Sequence, residues 1–402
     1  MIGSLPRSAS LAALAAALLA PAMAGAQKAA GSEIKVGGIF DLTGITSDVG
    51  KPFAQGVRDG VQWLNENGGV NGKPVRLVDV DYGYKIPEAV SAYKRMVNDE
   101  KVVMISGWGT GDTEALKDFV NRDKIPYFSA SFSGHLTDPA KTPYNFFAAP
   151  SYSDQLRAWL SWVKQDWKDK GRNPKVAFYY GDNAYGKAPI EAGRRFAKES
   201  GIDLVDEEIL PGGFQDATSQ LLNMKQKGAD YAYINVTTTG VSVVLRDAKK
   251  LGLATKFGSN PYGFSEQLPK VAGDVAEGVT GVVPHVPFGT DVPGMKRLVD
   301  FHMKNHPQDT HDAMYVRGWA TFLVWSEALK RADKAGQLNG EGIRKAVETF
   351  KDFDLGGLTE KITYTATDHR PTTKTPIYQV QGGKLVKVAE FEMPRKKEWL
   401  GL

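Results

Sequence analysis

MISGWGTGDTEALKDFVNRDKIPYFSASFSGHLT, residues 104–137, decides how the rest of the chain is read. An apolar strand over 102–105 runs into a loop of small and hydroxyl residues, 106–113, and a helix over 114–122 follows. A second strand over 125–128 then ends in a second loop, 129–133. Two strand ends so placed present backbone N–H groups and hydroxyls at one spot. In an open parallel sheet, small molecules bind outside the carboxyl ends of the strands, so this spot is the expected ligand site. A helix N-terminus beside it favours an anion or a carbonyl oxygen, through unpaired N–H groups and the helix dipole. Neither loop carries a nucleophile with its base.

Working outward, IKVGGIF (34–40) reads as a buried strand that opens into a loop, DLTGITSDVG (41–50). The spacing predicts a helix over 52–67, with Pro52 near its first turn and Asn67-Gly68-Gly69 as its stop. A turn at Asn71-Gly72, a strand over 75–80 and a helix over 86–98 complete a second unit. Right-handed crossovers put these strands in one parallel sheet with their C-terminal loops along one edge. At 143–150 (PYNFFAAP) the pattern breaks into an extended, Pro-bounded crossing. A second set of units follows, with strands over 175–180, 203–209, 231–235 and 256–258 and helices over 154–168, 188–200, 217–227 and 241–251. GVTGVVPHVPF (278–288) is a second crossing, and helices over 292–305, 311–334 and 341–350 return to the first lobe. The last stretch, EKITYTATDHR, PIYQVQGG and KLVKVAEF, is β-like, with Gly382-Gly383 as a hairpin turn. The expected fold is α/β: two doubly wound lobes joined by a multi-strand hinge, with a binding cleft between them. The expected division is 1–26 as a leader, 27–147 plus 283–358 as lobe I, and 148–282 plus 359–402 as lobe II.

A chain of 402 residues suits two domains, and 42% hydrophobic with 24% charged residues is ordinary globular composition. Arg7, the apolar run 9–20 and Ala24-Gly25-Ala26 read as a cleaved secretory signal peptide, so the expected location is the periplasm. Without residues 1–26 the net charge is +3, too little for a nucleic-acid partner. With no cysteine, thiolate chemistry, disulfides and a lipid-modified N-terminal Cys are excluded. No cofactor, metal or membrane insertion is expected. His302, His306 and His311 lack a HExxH pattern and a neighbouring carboxylate, so they read as solvated surface residues. Trp319, Phe322, Leu323, Trp325 and Leu329 lie at helical spacing and read as core.

The order of IKVGGIFDLTG, VNGKPV, the small-residue loop after the third strand, DNAYGK and LGLATKF carries a resemblance over nearly the whole mature chain. The sequence resembles the branched-chain amino acid (Leu/Ile/Val-type) family of periplasmic solute-binding proteins that feed ABC importers. The resemblance implies the type I periplasmic binding fold, hinge closure around one ligand, and an ABC permease in the membrane as partner. In that family's aliphatic amino acid receptors the carboxylate is held by first-lobe loop positions, which fall here on Thr110-Gly111 and Ser131, Phe132 and Ser133. An apolar wall position falls at about Val49, beside Asp48, and the second-lobe aromatic falls on Tyr185. The Tyr and Glu that bind the ammonium group fall on Thr237 and Pro261. The charge partner of an ammonium group is therefore missing, unless Asp48 or Asp112 takes that role.

Trp108 among glycines points to cleft lining, whereas Phe132 and Tyr262 suit core or cleft equally. Thr110, Ser131 and Ser133 also suit helix capping, and Asp48 also suits a loop Asx cap. The leading expectation is a non-enzymatic receptor for a small carboxylate-bearing solute, an amino acid or related organic acid. An aromatic carboxylate or amide is the competing ligand. A secreted α/β enzyme is disfavoured by the lack of GxSxG, GxxxxGK[ST] and GxGxxG motifs.

Overall fold

The computed structural model describes residues 32–402, and the proposed leader, 1–26, lies outside the described residues. β1 (Ile34–Phe40) is almost wholly buried, as its unbroken apolar run requires of an inner parallel strand. It lies between β2 (Val75–Asp81) and β3 (Ile105–Gly107), with β4 (Tyr127–Ser129) and β5 (Asn145–Phe146) beyond. The order is β2-β1-β3-β4-β5, and every pair is parallel.

The second sheet contains β6 (Lys175–Gly181), β7 (Asp203–Leu210), β8 (Tyr231–Asn235), β9 (Lys256–Ser259) and β10 (Thr280–Val282). β11 (Lys374–Gln381) and β12 (Lys384–Glu392) form a hairpin that adds to its edge. The order is β12-β11-β10-β9-β8-β6-β7, antiparallel only at β10–β11 and β11–β12. In both sheets the winding direction reverses beside the first strand, between β1 and β3 and between β6 and β8. Loops leaving such a switch point diverge and open a crevice, so the two lobes each offer one.

Helix Ala313–Lys334 packs on helix Ser47–Glu66 of the first lobe, with Trp319 and Trp325 fully buried, as the apolar stripe required. A methyl group on Gly56 would overlap the Tyr315 carbonyl, and one on Gly318 the Phe53 carbonyl. The two backbones therefore touch, and only glycine fits at the crossing.

Several expected boundaries move, each for a local reason. The first helix starts at Ser47, which leaves Pro52 inside it. Asp41 shapes the preceding loop by accepting from Gly44 N, Thr46 N and the Thr46 hydroxyl, so the helix begins before the proline. The helix expected at 114 begins at Thr110, because the small residues read as loop form its first turn. The helix expected over 188–200 divides into Ala184–Lys187 and Ile190–Glu199 around Pro189. EKITYTATDHR makes only isolated bridges rather than a strand, while Ile362 and Tyr364 turn into the first-lobe core.

The solvated reading fails at His302, while His306 and His311 are half-buried. His302 is completely buried, and Asp59 from the first helix stands 3.7 Å from His302 Nδ1 and 3.1 Å from His306 Nε2. Burial pushes the Asp59 carboxyl up, but the neighbouring His302 imidazole, hydrogen bonds from Tyr315 and Gln55 and the charge of His306 outweigh it and hold it below the ordinary range. The carboxylate partner was invisible because it lies more than 240 positions away in the sequence. Among the described residues no group of His, Asp or Glu side chains is placed to hold a metal ion.

Candidate functional site

The loops leaving the switch points of both sheets meet in one chamber. From the first lobe, Thr46 and Val49 follow β1, Trp108, Gly109 and Thr110 follow β3, and Ala130 follows β4. Tyr84 and Tyr152 close the sides, and Tyr185, Thr237 and Tyr262 come from the loops after β6, β8 and β9. None of these lining residues is acidic.

A polar chain fixes the first-lobe wall. Trp108 Nε1 donates to Thr46 Oγ1 at 2.8 Å, and that hydroxyl donates to Asp41 at 2.6 Å. Gly109 precedes helix Thr110–Asp123 and no side chain caps it, so its first N–H groups remain open. Ser131 Oγ donates to Thr110 Oγ1 at 2.9 Å, which leaves the threonine hydroxyl hydrogen free to donate elsewhere. The helix end therefore offers backbone donors, a hydroxyl and a positive dipole end to an anion.

The second-lobe wall is aromatic. Tyr262 stands edge-on to Trp108 at 5.5 Å and to Tyr185 at 5.7 Å, and Tyr152 meets Tyr185 at 5.6 Å. Tyr185 OH donates to Asn260 Oδ1 at 2.6 Å, so its hydroxyl is satisfied inside its own lobe. Contacts that cross the cleft include Tyr262 OH donating to the Ala130 carbonyl, and Asp48 Oδ2 accepting from Thr239 Oγ1 at 2.9 Å and from Thr239 N at 3.3 Å. Asp48 thus sits at the N-terminus of helix Thr238–Lys250, where a carboxylate is favoured. These contacts define a closed arrangement of the lobes.

Two buried charged groups stand behind the walls. Asp112 lies in the first turn of helix Thr110–Asp123; its Oδ1 accepts from Tyr82 OH at 2.7 Å, and its Oδ2 has no partner. Burial, aided by the charge of Asp41, pushes its carboxyl up to about 7. Arg317, on helix Ala313–Lys334, is also buried. It donates to the Pro261 carbonyl at 3.2 Å and lies 4.3 Å from the Tyr262 ring and 5.4 Å from Phe132. It thereby ties the first-lobe core to the second-lobe loop that carries Tyr262. Burial, with the charge of Arg317 beside it, depresses the His285 imidazole well below its ordinary value.

Of the residues singled out in the sequence, Val49, Trp108, Thr110, Tyr185, Thr237 and Tyr262 line the chamber. Asp48 stands at its rim as the crossing contact, and Gly111 faces Ile86 and, across the lobes, Ala184. Ser131 stands behind Thr110. Phe132 packs behind Tyr262 at 5.8 Å, and Ser133 turns away to donate to Glu114 at 2.8 Å. The sequence reading missed Thr46, which acts through its hydroxyl; Gly109 and Ala130, whose roles come from backbone position; and Tyr84 and Tyr152, which no local spacing ties to the chamber. Tyr84 holds φ at 57°, a strained backbone for a bulky residue of the kind concentrated at binding sites.

Two α/β lobes meeting at their switch-point loops around one cleft define the class of periplasmic binding proteins. A family model for periplasmic binding proteins matches residues 33–384, and the chain belongs to that family. It is 24% identical over 363 residues to the leucine-, isoleucine-, valine-, threonine- and alanine-binding protein of Pseudomonas aeruginosa, covering 87% of this chain and 93% of the relative. It is likewise 24% identical over 332 residues to Leu/Ile/Val-binding protein homolog 7 of Brucella suis, covering 79% and 82%. Its fold matches an ABC transporter substrate-binding protein of Aeropyrum pernix with TM-score 0.85 and 30% identity, covering 92% of this chain and 98% of that one. A branched-chain amino acid ABC transporter protein of Thermus thermophilus with bound valine matches with TM-score 0.84 and 26% identity, covering 90% and 97%. A fatty acid ABC transporter substrate-binding protein of Thermomonospora curvata shares the fold with TM-score 0.82, at 23% identity and covering 90% and 93%. The chain is a leucine-binding-protein-like substrate-binding protein of the ABC transporter type and not an enzyme. Among the described residues no helix is long and apolar enough to cross a membrane.

Proposed function

We propose that this protein captures a small carboxylate-bearing solute between its lobes in the periplasm and delivers it to an ABC permease. In this reading lobe I is 27–147 plus 283–358 and lobe II is 148–282 plus 359–402, with the stretch around Ile362 and Tyr364 packed back on lobe I. The observation that carries the reading is the uncapped N-terminus of helix Thr110–Asp123, which faces a chamber closed from the other lobe by Tyr185, Thr237 and Tyr262. The carboxylate rests on the Thr110 hydroxyl and the open N–H groups, and the second lobe folds over the remainder. Closure follows the ligand because the closed form offers contacts that the open form lacks.

A second ligand reading, a carboxylate without an ammonium group and in particular an aromatic one, is favoured by the ring-lined wall and its lack of an acidic side chain. The test is a thermal-shift screen of the mature protein against leucine, phenylacetate, hexanoate and hexanamide. A ligand at about 100 times its Kd stabilises the fold by about 2.7 kcal/mol. Thr110→Val is expected to abolish the shift caused by carboxylates, while Ser133→Ala leaves it unchanged. A carboxylate shift that survives Thr110→Val removes the site assignment.

A further inference from the structure

The chamber at Thr110 has a volume of only about 20 Å³. Beside it lies a larger cavity of about 110 Å³. Thr46, Tyr185 and Thr237 line both, so the two spaces meet at that partition. The second space runs into lobe II between the loop after β7, residues 210–215, and the start of helix Thr238–Lys250.

The chemistry of the two spaces differs. No charged side chain lines the second one. Its apolar lining is buried Leu210, half-buried Phe214 and Val236, and exposed Ile45, and it opens to solvent at the exposed Gly212 and Gly213, around which a Cβ would meet nothing within 4 Å. Its polar groups are largely engaged: Asn183 Oδ1 accepts from Gly186 N at 2.8 Å, and Thr239 is held by Asp48. A charged group placed there would lose its hydration without gaining a counter-charge, whereas methylenes would gain burial.

We infer that the second cavity is a tail subsite, and that the ligand is an elongated monocarboxylate with its head at Thr110 and an uncharged tail passing between Tyr185 and Thr237 into lobe II. This rests on the carboxylate reading of the Thr110 chamber. Such a ligand fills both spaces, touches both lobes along its length, and needs no partner for an ammonium group.

The test uses isothermal titration with butanoate, hexanoate and octanoate, and with butanamide and octanamide, on the wild type and two variants. Gly212→Trp narrows the subsite: its backbone is not left-handed and its Cβ position is open, so the fold tolerates it. Phe214→Ala widens it. Each methylene buried in the subsite is expected to tighten binding by about fourfold, so wild-type affinity rises from butanoate to octanoate. Gly212→Trp is expected to cancel at least tenfold of the octanoate gain while leaving butanoate unchanged, and Phe214→Ala to move the optimum to a longer chain. Affinity independent of chain length, or butanoate and octanoate weakened equally by Gly212→Trp, overturns the subsite. If amides show the chain-length series and carboxylates do not, the carboxylate reading falls and the subsite stands. If no chain in either series binds, the subsite falls.

Discussion

Asp112 turns the burial of a carboxyl behind the Thr110 chamber into a measurable pH dependence. Its side chain is buried, one oxygen has no partner, and its carboxyl is pushed up to about 7 by burial, with Asp41 adding like charge. Its other titratable neighbours, Tyr82, Tyr84 and Tyr127, are themselves raised and stay neutral across the range that matters. In the unfolded chain an aspartate titrates near 3.9. Between that value and about 7 the folded protein holds a proton that the unfolded chain has released, so stability falls as pH rises through this window. Three pH units at about 1.36 kcal/mol each set an upper bound of about 4 kcal/mol. Asp112→Asn keeps the shape and the acceptor for Tyr82 but cannot ionise. Denaturant unfolding of the wild type and the variant at pH 5 and pH 8.5 is the assay. Because about a third of the window lies below pH 5, the advantage of the variant over the wild type is expected to be up to about 2.7 kcal/mol larger at pH 8.5 than at pH 5. Glu266, pushed up to about 7 by burial and the neighbouring Asp312, adds a slope of the same sign to both proteins and cancels in the difference. Parallel stability curves for the two proteins across this range would refute the argument.

The crossing contact of Asp48 with Thr239 is solvent-exposed, so Asp48→Ala is expected to weaken ligand binding only about two- to tenfold, with the wild-type advantage shrinking in high salt; titration at two salt concentrations checks it. Gly111 lies where an added Cβ would stand 4.0 Å from Ala184 of the other lobe, so Gly111→Trp is expected to hold the lobes apart, lowering affinity at least tenfold and raising the radius of gyration in solution scattering. Asp59→Ala leaves Tyr315 and Gln55 without their buried acceptor and His302 and His306 without their neighbouring carboxylate, and is expected to cost about 2–4 kcal/mol near neutral pH. Because the Asp59 carboxyl is held below its ordinary range, that cost is present above the unfolded value and fades as pH falls through the folded one, which an unfolding series from pH 7 to pH 3 would show. Gly318→Leu drives a side chain into the Phe53 carbonyl at the helix crossing and is expected to lower the melting temperature by several degrees or to prevent folding.

The strands, their sequence of units and the two crossings were legible in the chain because each rests on a local pattern. Apolar runs of parallel-strand length, glycine stops and Pro-bounded breaks act within a few residues of themselves. The same locality made Trp108 and Thr110 legible as cleft residues, since each follows a strand end, whereas Tyr185 was legible only through the family resemblance. Helix starts were less legible: the glycine and threonine at 109–110 have weak intrinsic preference, and the packing of the helix on the sheet decides that its first turn forms there.

What the sequence determined by itself was therefore the α/β class, the paired lobes and the strand ends whose loops line the cleft, all consequences of periodicity and turn chemistry. Only the tertiary structure decided which side chains face the cleft. Ser133 turns to Glu114, Phe132 goes behind Tyr262, and Thr46 and Ala130 come forward. It also decided that His302 is buried against Asp59, that Asp48 reaches Thr239, and that a second cavity adjoins the first. These are meetings of residues far apart along the chain, fixed by how the two lobes close on each other. No local spacing encodes the distance between two surfaces that only the complete fold brings together.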